Sequence, residues 1–190
     1  GHGQVEGYSE KYGMEYRRAY RDEKPDTGFL QYHEETISPL LHRRYIFADV
    51  ENFLLFLFMN ADGRVVEDVF AYSNRAGNEK ALIIYHNKFV DTRGWIKDST
   101  AFSVKAAGDE YLVKRSLVEG LGLAGQEGYV IFRDLVTGLE YIRSIAELAE
   151  KGLYVELGAY QRHVFLDFRT VDGGQWTEVA EALNGAGVES

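Results

Sequence analysis

The sequence predicts a mainly β protein: an antiparallel β-sandwich of about eight strands, Greek-key in type, with an N-terminal helix and short peripheral helices. Three observations carry that prediction. Strand-length apolar or alternating segments recur from Asp49 to Phe168, about every 10–15 residues, with turn-forming residues between them. The composition includes 13 Tyr, 11 Phe and 20 Gly with only 2 Pro, so residues that suit a half-buried pleated surface alternate with residues that turn the chain. Helical periods are few and short, whereas a parallel α/β fold needs a crossover helix between most strands.

The elements follow in order. Residues 1–26 are polar and tyrosine-rich with no sustained apolar period, which predicts irregular structure. Asp26 or Thr27 can cap a helix whose stripe is Leu30, His33, Ile37, Leu40 and Leu41, and Pro39 inside that stripe predicts a kink or interruption. From Asp49 the period changes. The run Phe53–Phe58 is a strand ended by Asn60-Ala61-Asp62-Gly63. Val69–Ser73 and Ala81–His86 form a hairpin around Arg75-Ala76-Gly77-Asn78-Glu79, and Thr100–Val104 and Tyr111–Lys114 form a second around Ala107-Gly108-Asp109. Arg115–Leu121 supplies one or two helical turns.

Tyr129–Arg133 is a further strand, with Gly138–Tyr141 placed to pair near it. Ile142, Ile145, Ala146, Leu148 and Ala149 read as a short amphipathic helix, closed by Lys151 and Gly152. Leu153, Val155 and Leu157 then alternate with Tyr154 and Glu156, and Val164, Leu166 and Phe168 continue the alternation beyond the turn at Gly158-Ala159. Trp176, Val179, Ala180 and Leu183 mark a terminal helix that stops at Gly185.

The charge balance limits the partners. With 21 Lys plus Arg against 30 Asp plus Glu, the 190 residues carry a formal charge of −9. Such a surface repels nucleic-acid phosphates and anionic membrane surfaces. Hydrophobic residues at 45% and charged residues at 27% suit a chain that buries a core. No apolar run approaches the roughly 20 residues that cross a bilayer, and no signal-peptide pattern opens the chain. The cytoplasm is the expected compartment. The absence of cysteine excludes disulfides, thiol nucleophiles and thiolate metal sites, and no cofactor or metal is expected. The chain opens on Gly1 instead of methionine, which reads as a piece of a longer protein.

Most chemical motifs fail on context. Gly120-Leu121-Gly122-Leu123-Ala124-Gly125 matches the dinucleotide-binding string, but a helical turn precedes it and a strand follows, the reverse of the required order, so it reads as a flexible loop. His33-Glu34-Glu35 lacks a second histidine at position 37, which is Ile37, so the zinc-protease reading fails and His33 reads as a helix-face residue. No nucleophile-elbow serine occurs. His86 and His163 read as strand-end residues with a backbone or water partner, and Glu67-Asp68 and Asp109-Glu110 as solvated turns. The most unusual chemistry lies in Tyr85-His86-Asn87-Lys88-Phe89 through Arg93-Gly94-Trp95, with the tryptophan read as lying on an exposed loop. Sugar sites combine aromatic faces with amide and charged groups, so Tyr85, His86, Asn87, Arg93 and Trp95 are the candidate ligand contacts. The alternative is that Trp95 packs beneath the loop or against a neighbouring domain.

Several segments resemble the C-terminal region of α-amylase-family glycoside hydrolases. Gly1-His2-Gly3-Gln4-Val5-Glu6-Gly7 and Glu10-Lys11-Tyr12-Gly13-Met14-Glu15-Tyr16 are similar to the segment leading out of the family's last barrel strand. The helix of residues 29–44, with Pro39-Leu40-Leu41, resembles the helix that closes the barrel. Asn78–Asn87 is similar to a central strand of the all-β domain that follows, and Gly152–Leu166 to its last two strands. Residues 88–128 have no counterpart.

The resemblance implies a parent enzyme acting on α-glucans, with its catalytic Asp, Glu and Asp on barrel strands upstream of Gly1. Residues 1–47 would then be the tail of the catalytic barrel and residues 48–190 a non-catalytic β-sandwich that flanks and stabilises it. The expected partners are that barrel, within the same polypeptide, and an α-glucan, with neither nucleic acid nor membrane. A carbohydrate-binding module, with Trp95, Tyr85 and Asn87 as its platform, is the second expectation. An independent enzyme is the third, and it requires a buried cluster of His and carboxylates.

Overall fold

The computed structural model describes residues 5–8, 22–106 and 108–189. Of the strings likened to the segment leading out of the last barrel strand, Gly1–Gln4 and Glu10–Tyr16 lie outside them. The chain divides into two compact units, Gly1–Arg44 and Tyr45–Ser190, where the sequence reading puts the boundary at 47/48.

In the first unit the Asp26 carboxylate accepts the Phe29 N–H at 3.0 Å and caps α1, Thr27–Tyr32. A π-helical turn, His33–Ile37, joins it to α2, Ser38–His42. Proline has no N–H to bond the previous turn and its ring crowds the carbonyl four residues back. The widened turn just ahead of Pro39 is the form the expected interruption takes. None of these three helical segments buries a residue.

The second unit begins with the end of a 3-10 turn, Arg44–Phe47, and is mainly β. Nine strands form one antiparallel sheet: β1 Leu54–Met59, β2 Val69–Ala76, β3 Glu79–His86, β4 Thr92–Ser99, β7 Tyr129–Asp134, β8 Leu139–Ser144, β9 Leu153–Leu157, β10 Arg162–Val171 and β11 Val188–Glu189. Their order is β11-β8-β7-β10-β3-β2-β1-β4-β9. β1, β2 and β3 run as a meander and β4 returns to lie beside β1, which makes the expected Greek key. β5 Phe102–Ala106 and β6 Asp109–Val113 pair separately as a two-stranded ribbon. Short helices α3 Leu117–Gly120, α4 Ile145–Lys151 and α5 Gly174–Leu183 decorate the sheet.

The sheet curls until strands from both ends share one core. Leu153, Val155 and Leu157 of β9 join Phe56 and Phe58 of β1, Ile84 of β3, Val130 and Phe132 of β7 and Phe165 of β10. α3 and α4 add Leu117, Val118, Ile145 and Leu148 to it. Burial on this scale, about 1.5–3 kcal/mol for each large apolar side chain, is what holds the curl.

Four readings need correction. Trp95 lies in a strand, residues 92–99, not on an exposed loop. Ile142 lies in β8, and the helix begins only at Ile145, where Ser144 accepts the Glu147 N–H as its cap. The glycine-rich stretch 120–125 is anchored: Leu121 and Leu123 are buried, and the Leu123 N–H donates to the Val118 carbonyl at 2.7 Å. β10 does not keep a clean alternation. Asp167, at φ 55°, sits in a bulge between Leu166 and Arg169 that shifts the register against β7.

Candidate functional site

β4 and β9 together build the most chemically varied surface. They pair antiparallel with Trp95 opposite Tyr154 and Arg93 opposite Glu156. Gly94 and Ile96 on β4, and Leu153, Val155 and Leu157 on β9, point to the core. Because side chains alternate across a strand, Arg93, Trp95, Tyr154 and Glu156 share the outer face. Gly94 is required between them: a Cβ there would stand 2.2 Å from the Met59 carbonyl oxygen of β1.

On that face the Trp95 and Tyr154 rings lie 5.0 Å apart, tilted by 55°. The Tyr154 hydroxyl donates to Glu156 Oε1 at 2.7 Å, and this hydrogen bond raises the phenol above its ordinary range. A cleft of about 420 Å³ is lined by Ala61, Arg93, Trp95 and Tyr154. Beside it a polar cleft of about 490 Å³ includes Asp91, Thr92, Arg93, Glu156 and Gln161. Arg93 lines both clefts.

The five residues singled out from the sequence therefore separate. Arg93 and Trp95 stand together on β4. Tyr85 and Asn87, at the end of β3, are hydrogen-bonded to each other at 3.2 Å and line neither cleft. His86 is fully buried: its Nδ1 donates to the Gly158 carbonyl at 2.9 Å, which leaves no surface for a ligand to touch. Tyr154, Glu156 and Gln161 were not among the candidates. The outward alternation of Tyr154 and Glu156 was legible, but pairing them with Arg93 and Trp95 required β4 to be read as a strand.

A second cluster is buried. Asp134, at the end of β7, accepts four hydrogen bonds, from His163 Nδ1 at 2.8 Å, the Thr137 hydroxyl at 2.9 Å, the Val164 N–H at 3.0 Å and the Val136 N–H at 3.1 Å. Burial opposes ionisation, but the bonds from His163, Val164 and Val136 outweigh it and hold the carboxyl below the usual aspartate range. The His163 ring lies parallel to Phe165 with centroids 5.3 Å apart. His163 is thus partnered by a carboxylate, not by backbone or water as a strand-end histidine would be. The described partners of His163, Asp134 and Gln161, include no nucleophile, and the carboxylate is saturated. The pair ties the turn after β7 to β10.

Among the described residues no group of three or more His, Asp or Glu side chains is arranged to hold a metal ion, and no helix is long and apolar enough to cross a membrane. No family model matches the chain. No curated protein matches it in sequence at a significant level.

Proposed function

We propose that residues 1–47 are the tail of an α-amylase-like catalytic barrel and residues 48–190 its non-catalytic C-terminal β-sandwich, in a cytoplasmic enzyme that acts on α-glucans. The observation that supports this reading is apolar surface left uncovered on both units. In the helical segment Phe29, Tyr32 and Leu41 are exposed, Leu41 to 61%. On the outer face of the central strands, Leu55 of β1, Phe70 of β2 and Tyr85 of β3 are exposed as well, and Phe70 stands directly opposite Tyr85. Side chains of this size at neighbouring positions are characteristic of a surface that another protein layer covers.

In this reading the barrel is that layer. Tyr85 is then part of the surface between barrel and sandwich. The chemistry belongs to the three carboxylates that the family resemblance puts on upstream strands, and the sandwich stabilises the barrel by removing apolar area from water, at about 25 cal/mol per Å². The coding sequence upstream of Gly1 tests the proposal. A pattern of eight alternating strands and helices, with Asp, Glu and Asp at strand ends, is the expected result. An unrelated domain or a start codon at that point would overturn it.

A further inference from the structure

We infer that the β4–β9 face is a glucan-binding groove, an accessory site that holds a neutral oligosaccharide against Trp95 and Tyr154 and hydrogen-bonds it through Arg93, Glu156 and Gln161. The inference rests on the proposed glucan-acting parent for the identity of the sugar, but the site itself rests on the geometry of this sheet edge.

The two clefts meet at Arg93 and run along one strand direction. From Trp95 to Thr92 the backbone advances about 10 Å, so the aromatic pair and the polar cleft lie end to end. Their chemistry is complementary to a sugar chain. A pyranose ring has an apolar C–H face, which suits the exposed Tyr154 ring and the half-buried Trp95 beside it, and a rim of hydroxyls that both donate and accept. Arg93 supplies donors, Glu156 and Asp91 supply acceptors, and the Gln161 side chain, whose Oε1 accepts the Gly158 N–H at 2.7 Å, completes the polar lining. The mixed charges, one cation with two anions, and the overall charge of −9 favour an uncharged ligand over a polyanion. An apolar protein surface is a poor occupant too, because it would take the charged Arg93 and Glu156 out of water.

The platform is pre-organised. β4 is locked against β1 through Gly94, and the Tyr154 side chain is held by the tilted Trp95 ring 5.0 Å away and by Glu156 at its hydroxyl. A ligand that settles there orders few side chains, which is what makes a shallow sugar site bind at all.

The chain has two tryptophans, Trp95 and Trp176. In a Trp176→Phe background, Trp95 alone reports on the groove. Titration of this chain with maltoheptaose is expected to give a saturable change in tryptophan emission, with matching heat by calorimetry. By calorimetry Trp95→Ala and Tyr154→Ala are expected to weaken binding tenfold or more, and Glu156→Gln several-fold. Tyr85→Ala leaves it unchanged, and the melting temperature of Tyr154→Ala verifies that the exposed substitution preserves the fold. No saturable signal by either method would overturn the inference, as would unchanged binding by a folded Tyr154→Ala variant, or tighter binding of a sulfated polysaccharide than of maltoheptaose. The two proposals fail separately. Loss of the site with a glucan-active barrel upstream removes only the groove, whereas maltoheptaose binding without such a barrel removes only the parent enzyme.

Discussion

Asp134 is the residue whose environment makes the sharpest prediction. Its carboxylate has no exposed surface and satisfies four donors, two of them backbone N–H groups, Val136 in the β7–β8 turn and Val164 on β10. Its folded-state pKa is depressed relative to the unfolded chain. The stabilisation it contributes is therefore complete above the ordinary aspartate pKa, about 3.9, and is lost as pH falls through the lower folded value. Asp134→Asn keeps the shape and loses the charge. We expect it to lower stability at pH 7 by about 2–3 kcal/mol, from weakened charge-assisted bonds and a mismatched donor. Denaturant melts from pH 7 to pH 3 check both parts. The variant should show a shallower loss of stability on acidification than the parent, and parallel pH profiles would contradict the assignment. This pair was not legible in the sequence. Asp134 and His163 are 29 positions apart, and neither has a local pattern that distinguishes a buried partner from a solvated strand end. His86 is a strand-end histidine with a backbone partner, as its position predicts, but that partner, the Gly158 carbonyl, is 72 positions away and its full burial has no local signal.

At the scale of elements, segments with a clean period were readable and segments under tertiary constraint were not. β9 shows the strict alternation of an edge strand with one face on the core. The β2–β3 hairpin announced itself through Gly77, which adopts φ 58° in its turn. β4 was hidden because its inward positions include Gly94, a residue that reads as a turn, and because Arg93, Lys97 and Asp98 fill outward or half-exposed positions. The glycine is there for packing. Where β4 meets β1 the register shifts between Phe56 and Phe58, and the backbones approach too closely for a side chain at position 94. Gly94→Ala is accordingly expected to destabilise the fold by about 1–3 kcal/mol, the usual penalty for overpacking, as measured by thermal or urea unfolding. Gly108→Ala has open space around its added methyl. Its positive φ of 92° still strains a side chain, so it should cost less, about 1 kcal/mol. A Gly94→Ala protein as stable as the parent would show that β1 and β4 do not pack as described. The helix that began too early fits the same account. Ile142 has the spacing of a helix face with Ile145 and Leu148, but pairing with Ile131 across β7 wins over that local period.

For the whole molecule, the antiparallel Greek key was legible because it follows from many short strands and few helices. That the strands form one continuous curled sheet was not, because only the shared core reveals it. The proposed function makes a stability prediction at this scale. Leu41→Gln and Phe70→Thr alter exposed side chains, so each should change the stability of residues 1–190 by no more than about 0.5–1 kcal/mol. In a polypeptide extended upstream of Gly1 the same substitutions should each cost about 2 kcal/mol, because there the side chains would be covered. Equal effects in both forms would contradict a barrel lying over these surfaces. The central claim, that this chain is the non-catalytic end of a glucan-acting enzyme, is tested most directly by release of reducing ends from soluble starch, assayed side by side for residues 1–190 and for the upstream-extended polypeptide. The account predicts no release by residues 1–190 and release by the extended form. Activity in residues 1–190 alone, or inactivity of the folded extended form on every α-glucan offered, would contradict it.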